Sequence, residues 1–110
     1  MVAANLAWIR KAFCDRTYGT TKTGAMKLIK RGLAPDDLIA AVCDDAPEIL
    51  ADYADDARGP ACLVLGWLSA ERPLHVLVGY GASEDTVIDV ITVYEPGPPE
   101  WQNPRVRRQG

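Results

Sequence analysis

Leu6, Ile9 and Phe13 recur at spacings of three and four behind Asn5. This predicts an amphipathic helix over residues 5–14, capped by the Asn5 side chain and closed by Gly19 and the threonines after it. A second helix is expected to start at Thr21 or Thr23, with Met26, Ile29 and Leu33 as its inward apolar stripe. Gly32 stands where a helix C-terminus favours glycine, and Lys27, Lys30 and Arg31 form a basic face on the other side. The third helix opens with Pro35 at its first position and Asp36 and Asp37 in its first turn, where the helix dipole favours acids. It turns Leu38, Ile39 and Val42 inward and ends before Pro47.

Beyond Pro47 the period changes to strands bounded by turn residues: 48–53, 61–69, 74–80 and 86–94. The connections at 70–73 and 81–85 are too short for parallel crossovers, so the strands form an antiparallel meander. Pairing Ser69 with Leu74, and Tyr80 with Thr86, puts Leu63, Leu65, Trp67, Val76, Val78, Tyr80, Ile88, Val90, Thr92 and Tyr94 on one bulky face, assigned to the helices. The core is then expected to hold Trp67, Val76, Val78, Val90 and Leu38. The thinner face carries Gly66, Gly79, His75 and Asp89, with Asp89 diagonal to the imidazole. A one-residue change of register would turn a strand over and exchange the faces. Pro96, Pro98 and Pro99 stop the last strand, and residues 100–108 read as a short helical turn or an irregular tail.

Taken together this is an α+β fold, N-terminal helices on one face of a four-stranded antiparallel sheet. The 110 residues at 12.0 kDa fit one domain: an N-terminal helix over 1–20, helices over 21–45, the meander over 46–95, and a Pro-rich basic tail over 96–110. No apolar run approaches a bilayer span and no secretory pattern opens the chain, so a cytoplasmic protein away from membranes is expected. Cys14, Cys43 and Cys62 are widely spaced, and with His75 as the single histidine they give no zinc framework and no disulfide scaffold. Buried reduced thiols are the expectation. Phosphate-loop, Gly-x-Ser-x-Gly and His-Glu-x-x-His patterns are absent, and neither a metal nor a cofactor is expected.

The net charge of −3 conceals segregation. Residues 1–33 carry seven bases against one acid, 34–60 eight acids against one base, and the tail adds Arg105, Arg107 and Arg108. Basic ends can build a local positive field for an anionic partner on an acidic protein, or simply neutralise the acidic middle.

The segments Lys30-Arg31-Gly32-Leu33, Pro35-Asp36-Asp37-Leu38, Cys62-Leu63-Val64-Leu65-Gly66-Trp67, Arg72-Pro73-Leu74-His75-Val76 and Thr92-Val93-Tyr94-Glu95-Pro96, with Trp101, resemble an uncharacterised family of small bacterial domains. The resemblance runs from about Thr23 to Arg108, and the family is identified with a RelE/MqsR-like toxin fold. It implies a metal-independent endoribonuclease of a toxin–antitoxin system, with RNA as substrate and a small zinc-finger antitoxin as partner. Relatives commonly begin the matching helix with His-Ala-x-x-Arg-Met, where this chain has Thr23-Gly24 and Lys27-Leu28. If the missing histidine is the family's base, activity is reduced or lost here.

Metal-free attack of a 2′-hydroxyl needs a base, an acid and cations that stabilise the phosphorane. The expected catalytic group is His75 with Asp89 fixing its tautomer and Arg31 beside the phosphate. The expected RNA contacts are Lys27, Lys30, Arg72, Tyr94, Arg105, Arg107 and Arg108. Strand parity makes Tyr80 and Tyr94 core aromatics on the face away from His75, Tyr94 being the better functional candidate of the two, and Trp101 either stacks on a base or packs over a core edge. His75 has a competing role as a packed, hydrogen-bonded strand histidine. A non-catalytic protein-binding module is the alternative function.

Overall fold

The computed structural model describes residues 4–43, 47–81, 87–97 and 101–107. Three helices, α1 (Leu6–Cys14), α2 (Lys22–Lys30) and α3 (Pro35–Cys43), cover one face of a sheet in the order β1-β5-β4-β3-β2. The strands are β1 (Gly19–Thr20), β2 (Glu48–Tyr53), β3 (Ala61–Ser69), β4 (Arg72–Gly79) and β5 (Asp89–Tyr94). The expected α+β class holds. Strands β2 to β5 are the antiparallel meander, and the unforeseen β1 adds two residues in parallel to β5, so the sheet is five-stranded and mixed.

Helix α1 is capped as its sequence predicts, the Asn5 carboxamide oxygen accepting from the Trp8 N–H at 3.2 Å, and it buries Ile9, Ala12 and Phe13. Helix α3 buries Leu38, Ala41 and Val42. Helix α2 departs from expectation. It buries Gly24 and Leu28, while Met26 and Ile29 point outward. The reason is at its N-terminus: the Thr21 hydroxyl donates to the Val90 carbonyl at 3.2 Å and accepts from the Gly24 N–H. A Cβ on Gly24 would stand 2.4 Å from the Val90 carbonyl oxygen, so this turn meets β5 through its smallest residue.

The cysteine expectation is corrected. Cys14 and Cys43 form a disulfide across 5.2 Å between Cα atoms, joining the end of α1 to the end of α3. Their 29-residue separation hid this, because the two helix ends meet only after α1 folds back on α3. Cys62 is the buried thiol that was expected, and burial, with a smaller contribution from Asp52, pushes its pKa up to about 12.

The register is also corrected, and it changes the faces. Observed pairs are Trp67 with Pro73, Leu65 with His75 and Leu63 with Leu77, three residues from the expected pairing. The turn is tighter than the sequence indicated because Arg72 and Pro73 join β4. Proline is tolerated there, since it sits next to an irregularity between Trp67 and Ser69 and beyond the last β5 partner, which is Tyr94 opposite His75. An odd shift turns the strand over. Strand β3 therefore turns Cys62 and Val64 toward the helices, with Gly66 against the Ala41 backbone, while Val76, Val78, Val90 and Leu38 are in the core as expected. Trp67, expected in the core, lies half-buried on the other face.

That second face is crossed by a hairpin of β6 (Trp101–Asn103) and β7 (Val106–Arg107), where a helical turn or irregular tail was expected. The Asn103 side-chain oxygen accepts from the N–H groups of Arg105 and Val106, and this local competition for backbone donors closes the turn. Arg105 lies over the Trp67 ring at 5.9 Å and its Nε donates to Glu48 at 2.7 Å, anchoring the hairpin to β2.

Candidate functional site

The register places His75 opposite Tyr94 on one face. His75 is fully buried: Nε2 lies 2.7 Å from the Pro104 carbonyl oxygen and Nδ1 lies 3.2 Å from the Tyr94 hydroxyl. A carbonyl only accepts, so Nε2 carries the proton. Nδ1 then accepts from the Tyr94 hydroxyl. Burial lowers the His75 pKa from 6.5, partly offset by the Pro104 bond, and the ring is neutral at pH 7. Trp101 stands edge-on to it, ring centroids 4.3 Å apart.

Asp89 is therefore not the orienting group. It pairs with Gly79, four residues along β4 from His75, or about 13 Å at strand rise. An irregularity between Leu77 and Val78, opposite Val90 and Thr92, separates the two ends of β5, and Asp89 leans toward Gly19. The same irregularity puts Tyr94 on the His75 face, where strict alternation had placed it on the opposite one. Tyr80 is the buried core aromatic that was expected, its hydroxyl donating to Asp52 at 2.6 Å.

Tyr94 and Trp101 open onto a groove of about 410 Å³ lined also by Lys27, Arg31, Thr92, Val93, Glu95 and Gly97. The end of α2 supplies Lys27 and its cap residue Arg31. The outer edge of β5 beyond Val90 has no strand partner among the described residues. Neither Lys27 nor Arg31 has an ion pair among the described residues, whereas Glu95 is paired with Arg72. The groove thus combines two cations, a phenol backed by a buried imidazole, and an indole.

The other expected RNA contacts lie elsewhere. Arg72 is engaged with Glu95 and Arg105 with Glu48. Lys30 is exposed but outside the groove, Arg107 belongs to β7, and Arg108 lies outside the described residues. Thr23, at the position of the resembled family's histidine, is exposed on the first turn of α2. The sequence reading missed the partnership of Tyr94 with His75 and the Pro104 carbonyl. Among the described residues no three metal-ligating side chains stand together, and no helix is long and apolar enough to cross a membrane.

A family described as a domain of unknown function (DUF4258) matches residues 21–95, about two-thirds of the chain, and the chain belongs to it. The match includes Lys27, Arg31, His75 and Tyr94. It leaves α1 and the C-terminal hairpin outside. No curated protein and no solved structure matches the chain.

Proposed function

We propose that this DUF4258 member binds single-stranded RNA in the Lys27–Arg31–Tyr94–Trp101 groove and acts as a metal-independent endoribonuclease of the toxin–antitoxin kind, with a RelE/MqsR-like fold. The observation that carries the reading is the Tyr94–His75 hydrogen bond opening on a groove with two cations. Lys27 and Arg31 neutralise a phosphodiester and Trp101 offers a stacking surface. Tyr94 takes the 2′-hydroxyl proton as it passes its own to His75 Nδ1. The 2′-oxygen bonds to phosphorus, the bond from phosphorus to the 5′-oxygen breaks, and the leaving oxygen takes a proton from Lys27. The products are a 2′,3′-cyclic phosphate and a 5′-hydroxyl. A small zinc-finger antitoxin accompanies this reading on the resemblance alone, and a cytoplasmic setting on the lack of a membrane-spanning or secretory pattern in the sequence.

A second reading is favoured by one observation: His75 is fully buried with both ring nitrogens engaged, as a structural histidine is. The groove then only binds. The two separate in one experiment, cleavage and binding of a labelled single-stranded RNA in the presence of a chelator. Under the enzymatic reading Tyr94→Phe loses about 10²–10⁴-fold in turnover with little change in affinity. RNA binding without cleavage by the parent protein leaves a groove that only binds RNA, and absence of RNA binding overturns both of these readings in favour of the non-catalytic protein-binding module.

A further inference from the structure

Helix α2 buries Leu28 but turns its other two large aliphatic side chains to solvent. Met26 is 62% exposed and Ile29, one turn later, 79%. This follows from the Gly24 contact with Val90 and the Thr21 cap, which fix the rotation of the helix. The exposed face is also basic. Lys22 and Lys30 lie one turn before and one turn after Met26, both exposed, and neither has an ion pair among the described residues. No acid occurs on α2. On a protein of net charge −3, this helix is a basic strip with two apolar anchors at its centre.

We infer that this face of α2 docks an acidic amphipathic helix of a partner protein. Apolar side chains at one-turn spacing on the partner cover Met26 and Ile29, and flanking carboxylates meet Lys22 and Lys30. The desolvated apolar centre holds the complex and the charged rim steers the encounter. Two apolar anchors on a nine-residue helix give too narrow an apolar face for membrane insertion, which favours a protein partner. The interface is small, so a transient complex of micromolar affinity is expected. This inference is independent of RNA cleavage, because it uses the outer face of α2 and not the groove.

The test is selection of a displayed library of 16-residue helical peptides on the full, disulfide-bonded chain, with counter-selection on Ile29→Glu. Enriched peptides are expected to carry Leu, Ile, Met or Phe at spacings of three or four, flanked by Glu or Asp. They should lose more than tenfold in affinity on Ile29→Glu or Met26→Glu, and several-fold on Lys22→Glu or Lys30→Glu, with weakening as salt rises. Both apolar positions face solvent, so the variants fold, as circular dichroism would verify. Enrichment of neutral or basic peptides, equal binding to Ile29→Glu, or no enrichment overturns the inference. So does Ile29-dependent binding to phosphatidylserine vesicles, or a dimer of the chain that Ile29→Glu dissociates.

Discussion

Reduction of the Cys14–Cys43 bond is expected to cost the fold about as much as the apolar docking of α1 contributes. The cross-link closes a loop with a sequence separation of 29 residues. In the chain-entropy account this removes about 12 cal/mol/K from the unfolded ensemble, or about 3.6 kcal/mol at 25 °C. Whole domains are stable by only about 5–15 kcal/mol, so the loss is a large fraction. Ile9 and Phe13 remain buried without the bond and stabilise by about 1.5–3 kcal/mol each, so the reduced chain keeps α1 in place. With an unfolding entropy of about 2.1 cal/mol/K per residue, Tm should fall by about 15 °C. Urea unfolding of the parent with and without dithiothreitol, beside Cys14→Ser/Cys43→Ser, measures this directly. Alkylation of the denatured, unreduced protein should label only Cys62, and reduction should raise the count to three. A stability change below about 1 kcal/mol, or three reactive thiols before reduction, would refute the reasoning.

Gly66→Ala should destabilise by about 1–3 kcal/mol in urea unfolding, because its Cβ would lie 2.5 Å from the Ala41 carbonyl oxygen and α3 would have to move off the sheet. His75 should give stability a pH dependence on its own, since it is the single histidine. Burial lowers its folded pKa below 6.5, so this contribution is complete above pH 6.5 and declines as pH falls toward the folded value, while the unfolded chain takes up the proton. His75→Gln should flatten that part of the profile, measured as unfolding free energy between pH 7.5 and 5.5. Tyr80→Phe removes the bond to Asp52 and should cost about 1.5–3 kcal/mol with the fold retained, and ultraviolet titration of the parent should show one tyrosine ionising only near pH 12.

Element positions were largely legible in the sequence because they depend on short-range period and punctuation. Asn5, Pro35 and the runs at 48–53 and 61–69 are local signals, and local structure followed them. What failed were quantities fixed by two distant segments at once. Whether Trp67 or Gly66 faces the helices depends on a turn that Arg72 and Pro73 shorten, and a shift of three residues exchanged the faces. The inward stripe assigned to Met26 and Ile29 failed because a threonine cap and a glycine contact, both made to β5, outweighed the burial of two aliphatic side chains. The Cys14–Cys43 pairing required knowing that two helix ends meet. In the site, Lys27 and Arg31 follow from the basic face of α2. The Tyr94–His75 pair depends on an irregularity in β5 that alternation cannot show.

The chemistry available to His75 is decided by a segment outside the matched family region. Residues 21–95 contain the imidazole, its Tyr94 partner and both groove cations, yet the Pro104 carbonyl and the Trp101 indole come from the C-terminal hairpin. Pro104 fixes the proton on Nε2 and leaves Nδ1 facing the phenol. Trp101 stands against the ring and lines the groove. The hairpin itself is held toward the β2 edge of the sheet by Arg105 on Glu48 and Trp67. A relative with the same motifs but a different C-terminal segment would keep the histidine and lose its tautomer and its cover. Motif agreement within the matched region therefore identifies the scaffold, whereas the hairpin sets the tautomer and the cover of His75.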